Sequence, residues 1–266
     1  MAKTIVLVTG ANKGIGLQIV KVLLESAPSD SGSLAPYHVY LGSRDLKRGE
    51  AAAATLECKH GNSLSVVQLD ITSASSVAAA VATVEKESGR LDVLINNAGI
   101  SDESIADEVE KMATLYATNV IGPYRTTAAF KPLLLKQSQS PVAEEGGKKQ
   151  KRIVFVTSSM GSVTARFDPT YPTYTQLYNA YRCTKAALDM LAACEAYDLR
   201  DAGVVVHAFD PGWAATELGG GDPATLRSLG AVDPRVSGLA CRDIVEGKRD
   251  TESEKMISIN GDTYGW

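Results

Sequence analysis

Histidine and cysteine are scarce: His38, His60 and His207 are the three imidazoles, and Cys58, Cys183, Cys194 and Cys241 the four thiols. The histidines form no H-E-x-x-H pattern and the cysteines no C-x-x-C pair, so no metal site is expected. The wide cysteine spacing also argues against a disulfide framework, and reduced thiols suit a cytoplasmic protein. No charge sign dominates. A net charge of −4 gives no electrostatic footprint for nucleic acid or an anionic membrane, which leaves a small molecule as the expected partner. No apolar run is long enough to span a bilayer. Lys3 leads directly into the first apolar segment, without the charged and apolar regions of a signal peptide.

What is present is an apolar fraction of 44% over 266 residues, compatible with one large α/β domain over residues 1–266. The chain is organised around Ile5-Val6-Leu7-Val8 and the turn Thr9-Gly10-Ala11-Asn12-Lys13-Gly14-Ile15-Gly16. A short apolar and β-branched run suits a strand covered on both faces. Leu17, Ile19, Val20, Leu23 and Leu24 follow at helical spacing. The glycines therefore lie between a strand and a helix, the context of a phosphate-binding turn. Gly10 can take positive φ, Gly14 lets backbone N–H groups approach a pyrophosphate, and Gly16 allows close packing of the helix. The helix N-terminus faces the anion, and Lys13 adds charge there. The spacing is G-x-x-x-G-x-G, a departure from the general G-x-G-x-x-G fingerprint.

Further strands are expected at 39–41, 64–69, 91–95, 153–156, 204–209 and 256–259, with helices between them. Ser- and Pro-bearing stretches at 26–36 and 138–151 suggest surface insertions. At the end of the second strand, Ser43 and Arg44 leave room and charge for a ribose 2′-phosphate, which points to NADP(H) over NAD(H). Lys47 and Arg48 add positive potential or form a solvated helix start. Asp45 suits a helix N-terminus. Asp70, with Ile71 beside it, is placed either to meet an adenine amino group or to cap the next helix. Asn96-Asn97-Ala98-Gly99 either lines the cofactor crevice or braces the sheet. Residues 109–135 form a long helical stretch, expected to kink near Gly122-Pro123. Asn119 inside it hints at a polar network or a structural amide.

Thr157-Ser158-Ser159 ends the fifth strand on the ligand-facing side. Residues 166–176 carry no periodicity and are placed at the pocket rim. Tyr181 and Lys185 then share one face at the start of a helix. An ammonium close to a phenol lowers its pKa and makes it a usable acid. Tyr178 and Arg182 form a competing pair, with Tyr178 kept at the rim. Residues 213–238, rich in glycine, suit a mobile lid, made apolar by Trp213 and Leu218 and favouring a hydrophobic carbonyl compound.

Together these segments resemble the short-chain dehydrogenase/reductase family over nearly the whole chain, through Thr9-Gly10-x-x-x-Gly14-Ile15-Gly16, Asn96-Asn97-Ala98-Gly99, Tyr181-x-x-x-Lys185 and Asp210-Pro211-Gly212-x-x-x-Thr216. Lys13, Ser43-Arg44-Asp45 and the Tyr264-Gly265-Trp266 end look closest to its carbonyl-reductase-like members. The resemblance implies a single doubly wound parallel-sheet Rossmann domain. It also implies carbonyl–alcohol conversion by hydride transfer, with Tyr181 as acid/base, Ser159 orienting the substrate oxygen and Asn119 positioning water for proton return. Lys185 would lower the tyrosine pKa and hold the nicotinamide ribose. Asn97, Ala98, Gly99, Pro211, Gly212 and Thr216 would meet the cofactor. The Ser159 to Tyr181 interval is longer than in most members, which leaves the oligomeric state open. The rival expectations are a cofactor sensor without turnover and an enzyme that isomerises or dehydrates its substrate.

Overall fold

The computed structural model describes residues 3–27, 35–136, 151–171, 174, 177–252 and 255–264. Most of the expected insertions at 26–36 and 138–151, part of the rim stretch 166–176 and the Gly265-Trp266 end lie outside these residues. Eight strands form one sheet in the order β3-β2-β1-β4-β5-β6-β7-β8. They are β1 (Thr4–Val8), β2 (Tyr37–Ser43), β3 (Ser63–Gln68), β4 (Val93–Asn96), β5 (Lys151–Val156), β6 (Val204–Asp210), β7 (Met256–Ser258) and β8 (Thr263–Tyr264). The first seven run parallel, and β8 pairs antiparallel with β7. The chain winds outward from β1 to β3 and returns on the other side of β1 as β4. The strand order thus reverses between β1 and β4, where Val8 pairs with Ile95, and a crevice opens beyond the strand ends.

The continuous apolar strands are explained by burial on both faces. Alternate residues of each strand enter different cores. Leu7, Leu94, Ile153 and Phe155 pack with Val77, Phe130 and Leu188 on one side. Val6, Val8, Ile95 and Val154 pack with Ile19, Leu23, Cys241 and Ile244 on the other. The first side carries α3 (Ala74–Ser88), α5 (Gly122–Leu135) and α7 (Asn179–Leu199), and the second α1 (Gly14–Glu25), α2 (Leu46–Ala53) and α9 (Pro234–Val245). Three shorter α-helices complete the set among the described residues: α4 (Glu108–Tyr116), α6 (Val163–Arg166) and α8 (Pro223–Ser228).

Two expectations need correction. The break in the 109–135 stretch is a π-helical turn at Ala117–Ile121, ahead of Pro123. The segment 213–238 is not irregular throughout, because it contains α8 and the start of α9. Asp233 caps α9 by accepting from the Arg235 N–H, and a Cβ on Gly238 would stand 2.9 Å from the Gln18 carbonyl oxygen. Gly238 thus serves the close packing of α9 on α1.

Candidate active site

The turn after β1 is held open by its own backbone and by Asn97. Gly10 has φ 61° and Gly14 φ 58°, conformations that cost a side-chain-bearing residue dearly. The Thr9 hydroxyl accepts the N–H groups of Asn97 and Ala98, both at 3.0 Å. The Asn97 amide donates to the carbonyls of Thr9 and Gly10 at 2.9 and 3.2 Å. Asn97 therefore braces the turn, while Asn96 donates to Thr127 on α5 at 2.9 Å. A Cβ on Gly16 would collide with the Asn97 amide and stand 2.8 Å from the Gly10 carbonyl. Gly16 is thus required by the turn's closure as much as by helix packing. Lys13 gives the start of α1 no side-chain cap, and the Thr216 side chain stands beside Gly14 at this end of the helix. This arrangement fits the phosphates of a dinucleotide.

Beyond β2 and β3 the placements are more mixed. Ser43 is buried and donates its hydroxyl to the Asp45 carbonyl at 2.7 Å, so that hydrogen is used within the protein. Arg44 is exposed. Asp45 caps α2 by accepting from the Arg48 N–H. Asp70 does not cap α3, a role taken by Ser73; its carboxylate accepts from the Thr72 N–H and hydroxyl at 2.9 and 2.6 Å. The Ile71 side chain belongs to the core, where a Cβ on Gly122 would press on it at 2.6 Å. The Ile71 carbonyl accepts from Arg125 at 2.7 Å. Lys13 is exposed and pairs with Glu217 at 2.7 Å.

At the ends of β5 and β6, helix α7 brings Tyr181 and Lys185 together. The Lys185 ammonium lies 5.5 Å from the Tyr181 ring centre and donates to the Val156 carbonyl at 2.9 Å. It also lies 3.8 Å from where a Cβ on Gly99 would stand, which ties the β4 end to α7. Tyr181 packs with Met160, the neighbour of Ser159. Asn119, in the π-turn, uses its side chain fully: Oδ1 accepts the Ile100 N–H at 2.8 Å, and Nδ2 donates to the Ile100 carbonyl and Thr184 hydroxyl at 2.8 and 3.1 Å. Pro123 carries no N–H for the Asn119 carbonyl, four residues earlier.

Two buried carboxyls, to which the sequence reading gave no role of their own, complete the cluster. Asp189 lies one turn beyond Lys185 with Oδ1 buried and unpartnered, and burial pushes its carboxyl up to about 7. Asp210, at the end of β6, accepts from the Gly212 N–H at 3.1 Å and is pushed up by burial. Burial also raises the Tyr181 phenol, with Asp210 and Asp189 adding to it, and brings the Lys185 ammonium down to about 8. In the ligand-free protein burial and these two acids hold the phenol above its ordinary value, against the lowering expected from Lys185. Asp189 had a sequence signal, since it shares the Lys185 face of α7 at i+4. Asp210 stood in the sequence only as the first residue of the Asp210-Pro211-Gly212 motif.

The segment after β6 closes over the turn. The Thr216 side chain lies 3.5 Å from where a Cβ on Gly14 would stand. Gly212 has φ 70°, and the Pro211 carbonyl accepts from Ser237 on α9 at 2.7 Å. Trp213, Leu218, Phe167 and Leu177 are exposed apolar side chains on the loops around this end of the sheet. Tyr178 is partly exposed, with φ 46° directly before α7.

Comparison with known proteins accords with this geometry. The family model "short chain dehydrogenase" matches residues 4–225. The short-chain dehydrogenase/reductase eupG of Phoma sp is 34% identical, over 98% of this chain and 96% of its own. The short-chain dehydrogenase/reductase tropE of Talaromyces stipitatus is 32% identical, over 98% and 97%. The NADPH-bound carbonyl reductase from chicken fatty liver superposes over 100% of both chains with a TM-score of 0.78 at 29% identity. No described helix is long and apolar enough to cross a membrane. A doubly wound sheet, a glycine turn at its switch point and a Tyr181–Lys185 pair at the facing strand ends thus meet the sequence match on common ground: the chain belongs to the short-chain dehydrogenase/reductase family, as a carbonyl-reductase-like oxidoreductase that works with a nicotinamide cofactor.

Proposed function

We propose that the protein is a single catalytic domain that reduces an apolar ketone or aldehyde to the alcohol with NADPH, or runs the reverse, with Tyr181 as the proton-transferring acid. The observation that carries this reading is the meeting of Tyr181, Lys185 and the Ser159 end of β5 beside an uncapped glycine turn. The cofactor, when bound, supplies or accepts the hydride. Gly10, Asn12, Gly14, Ile15 and Gly16 hold its phosphates. Asp70 and the Ile71 main chain border its adenine, and Asn97, Ala98, Gly99, Pro211, Gly212 and Thr216 border its nicotinamide half.

Within the protein, Tyr181 holds a proton at neutral pH because burial disfavours the phenolate. It donates that proton to the substrate oxygen, and Ser159 orients the same atom. Lys185 bonds the nicotinamide ribose and passes protons toward water positioned by Asn119. The NADPH preference rests on Arg44 and Lys13. The exposed Lys13–Glu217 pair is worth little by itself, so the ammonium is free to exchange Glu217 for a 2′-phosphate. The apolar side chains around the pocket favour a hydrophobic carbonyl compound.

The test is binding of NADPH and NADH followed by oxidation of the bound cofactor by a panel of aromatic and aliphatic ketones. Tighter NADPH binding with turnover supports the reading. Binding without turnover across the panel favours a cofactor sensor.

A further inference from the structure

Glu217 stands where the segment after β6 crosses the glycine turn, and its backbone is held from both sides of the crevice. The preceding Thr216 side chain lies 3.5 Å from where a Cβ on Gly14 would stand, and its hydroxyl accepts the Leu218 N–H at 3.3 Å. Two residues on, Gly219 has φ 73° and faces the segment after β4, where the Ser101 carbonyl oxygen lies 3.8 Å from a Cβ placed on that glycine. From this bridge the Glu217 carboxylate accepts from the Lys13 ammonium at 2.7 Å. Lys13 in turn stands close to the end of β2, because the Ala11 N–H donates to the Gly42 carbonyl at 2.9 Å, directly before Ser43-Arg44. The bond and charge of Lys13, joined by the charge of Arg48 in the first turn of α2, hold the Glu217 carboxyl below the ordinary carboxylate range. A carboxylate of the chain itself thus lies among the cations at the end of β2.

We propose that Glu217 is a specificity-determining residue for the cofactor: in the ligand-free protein its carboxylate occupies Lys13 in place of the ribose 2′-phosphate, so it weakens the binding of NADPH and leaves that of NADH unaltered. The inference deepens the reading of Lys13 and Arg44 as the cations that hold this phosphate, and rests on it.

The competition is one of charge. An ammonium has several donors and can reach two acceptors at once. A carboxylate and a phosphate monoester of about −1.5 to −2 charge on one ammonium nevertheless leave a net negative charge and repel each other. The Glu217 side chain must therefore swing away, or the phosphate is held less tightly. NADH carries a hydroxyl at this position, which needs no cation and meets no such repulsion. The Lys13 and Glu217 side chains are 59% and 62% exposed, so their pair adds little to the fold and exchanges without disturbing it. Solvent and salt also bound the effect, which is a modest penalty on NADPH and falls as ionic strength rises.

The experiment is a fluorescence titration of NADPH and of NADH, without substrate, at low and at high salt. It compares the unaltered protein with Glu217→Gln, Lys13→Met and the double variant, each with its Tm measured to show that the fold is intact. Glu217→Gln is expected to bind NADPH about two- to fivefold more tightly at low salt, with a smaller gain at high salt and NADH affinity unchanged. Lys13→Met weakens NADPH binding, and in its background Glu217→Gln gains less, because no shared ammonium is released. An NADPH affinity that fails to rise in Glu217→Gln, an equal rise for NADH, or a gain of full size in the Lys13→Met background overturns the proposal. Unchanged NADPH affinity in Lys13→Met removes instead the underlying assignment of Lys13 to the phosphate.

Discussion

Tyr181 stands in the cluster under two opposed influences: an ammonium 5.5 Å from its ring, and burial with two carboxylates that keep its proton in place. The second set wins in the ligand-free protein, which makes the phenol a stored acid. Tyr181→Phe is expected to lower kcat by about 10²–10⁴-fold while NADPH affinity and Tm stay close to those of the unaltered protein. Asn119 makes the contrasting case. Its side chain is saturated by Ile100 and Thr184, so Asn119→Ala strands buried backbone groups and should cost about 1–3 kcal/mol, visible in denaturant unfolding. The Tyr181–Lys185 pair could be found in the sequence because helical spacing alone puts i and i+4 on one face. The nearness of Asp210 to Lys185 could not, since it joins a strand end to a helix that only the folded sheet brings together.

At the scale of elements, the unit from β1 through its turn to α1 is specified by local chemistry: β-branched residues, then glycines at positions of positive φ, then a helix with no capping side chain. That unit was legible apart from Asn97, whose amide braces the turn from the end of β4. Gly16→Ala tests it, because the added Cβ meets both the Asn97 amide and the Gly10 carbonyl. The expected outcome is a loss of NADPH affinity of at least about tenfold, or about 1.4 kcal/mol, measured by fluorescence titration, together with a lower Tm. At the end of β2, Arg44→Ala should weaken NADPH binding while leaving NADH binding nearly unchanged; equal losses for both would place the 2′-phosphate elsewhere. Two features of the elements were obscured. The π-turn at Ala117–Ile121 adds one residue to a helical turn without any breaker at that point, and the adjacent Pro123 drew the expectation of a kink instead. The start of α9 was hidden by Gly230 and Gly238, which read as loop composition although Gly238 serves helix contact.

Across the whole molecule, the parallel strands were legible because all but the partly buried edge strand β3 are short apolar runs buried on both faces. Their order follows from crossover rules and from the switch beside β1. The two-residue β8 is too short to leave a pattern. The buried acids carry a consequence for stability as a whole. An aspartate with an ordinary value of 3.8 in the unfolded chain is held at about 7 at position 189. The folded state therefore binds that proton more tightly, and its contribution is complete below 3.8 and is lost as pH rises toward 7. Asp189→Asn should accordingly raise Tm at about pH 8 and change it little at about pH 3; an equal change at both would contradict the account of Asp189. The central claim is tested most directly by one rate, the oxidation of NADPH by the purified protein with a hydrophobic aryl ketone, compared with Tyr181→Phe. The account predicts turnover in the first and its near-complete loss in the second, with NADPH bound by both. Turnover that survives in Tyr181→Phe, with fold and binding intact, would contradict it.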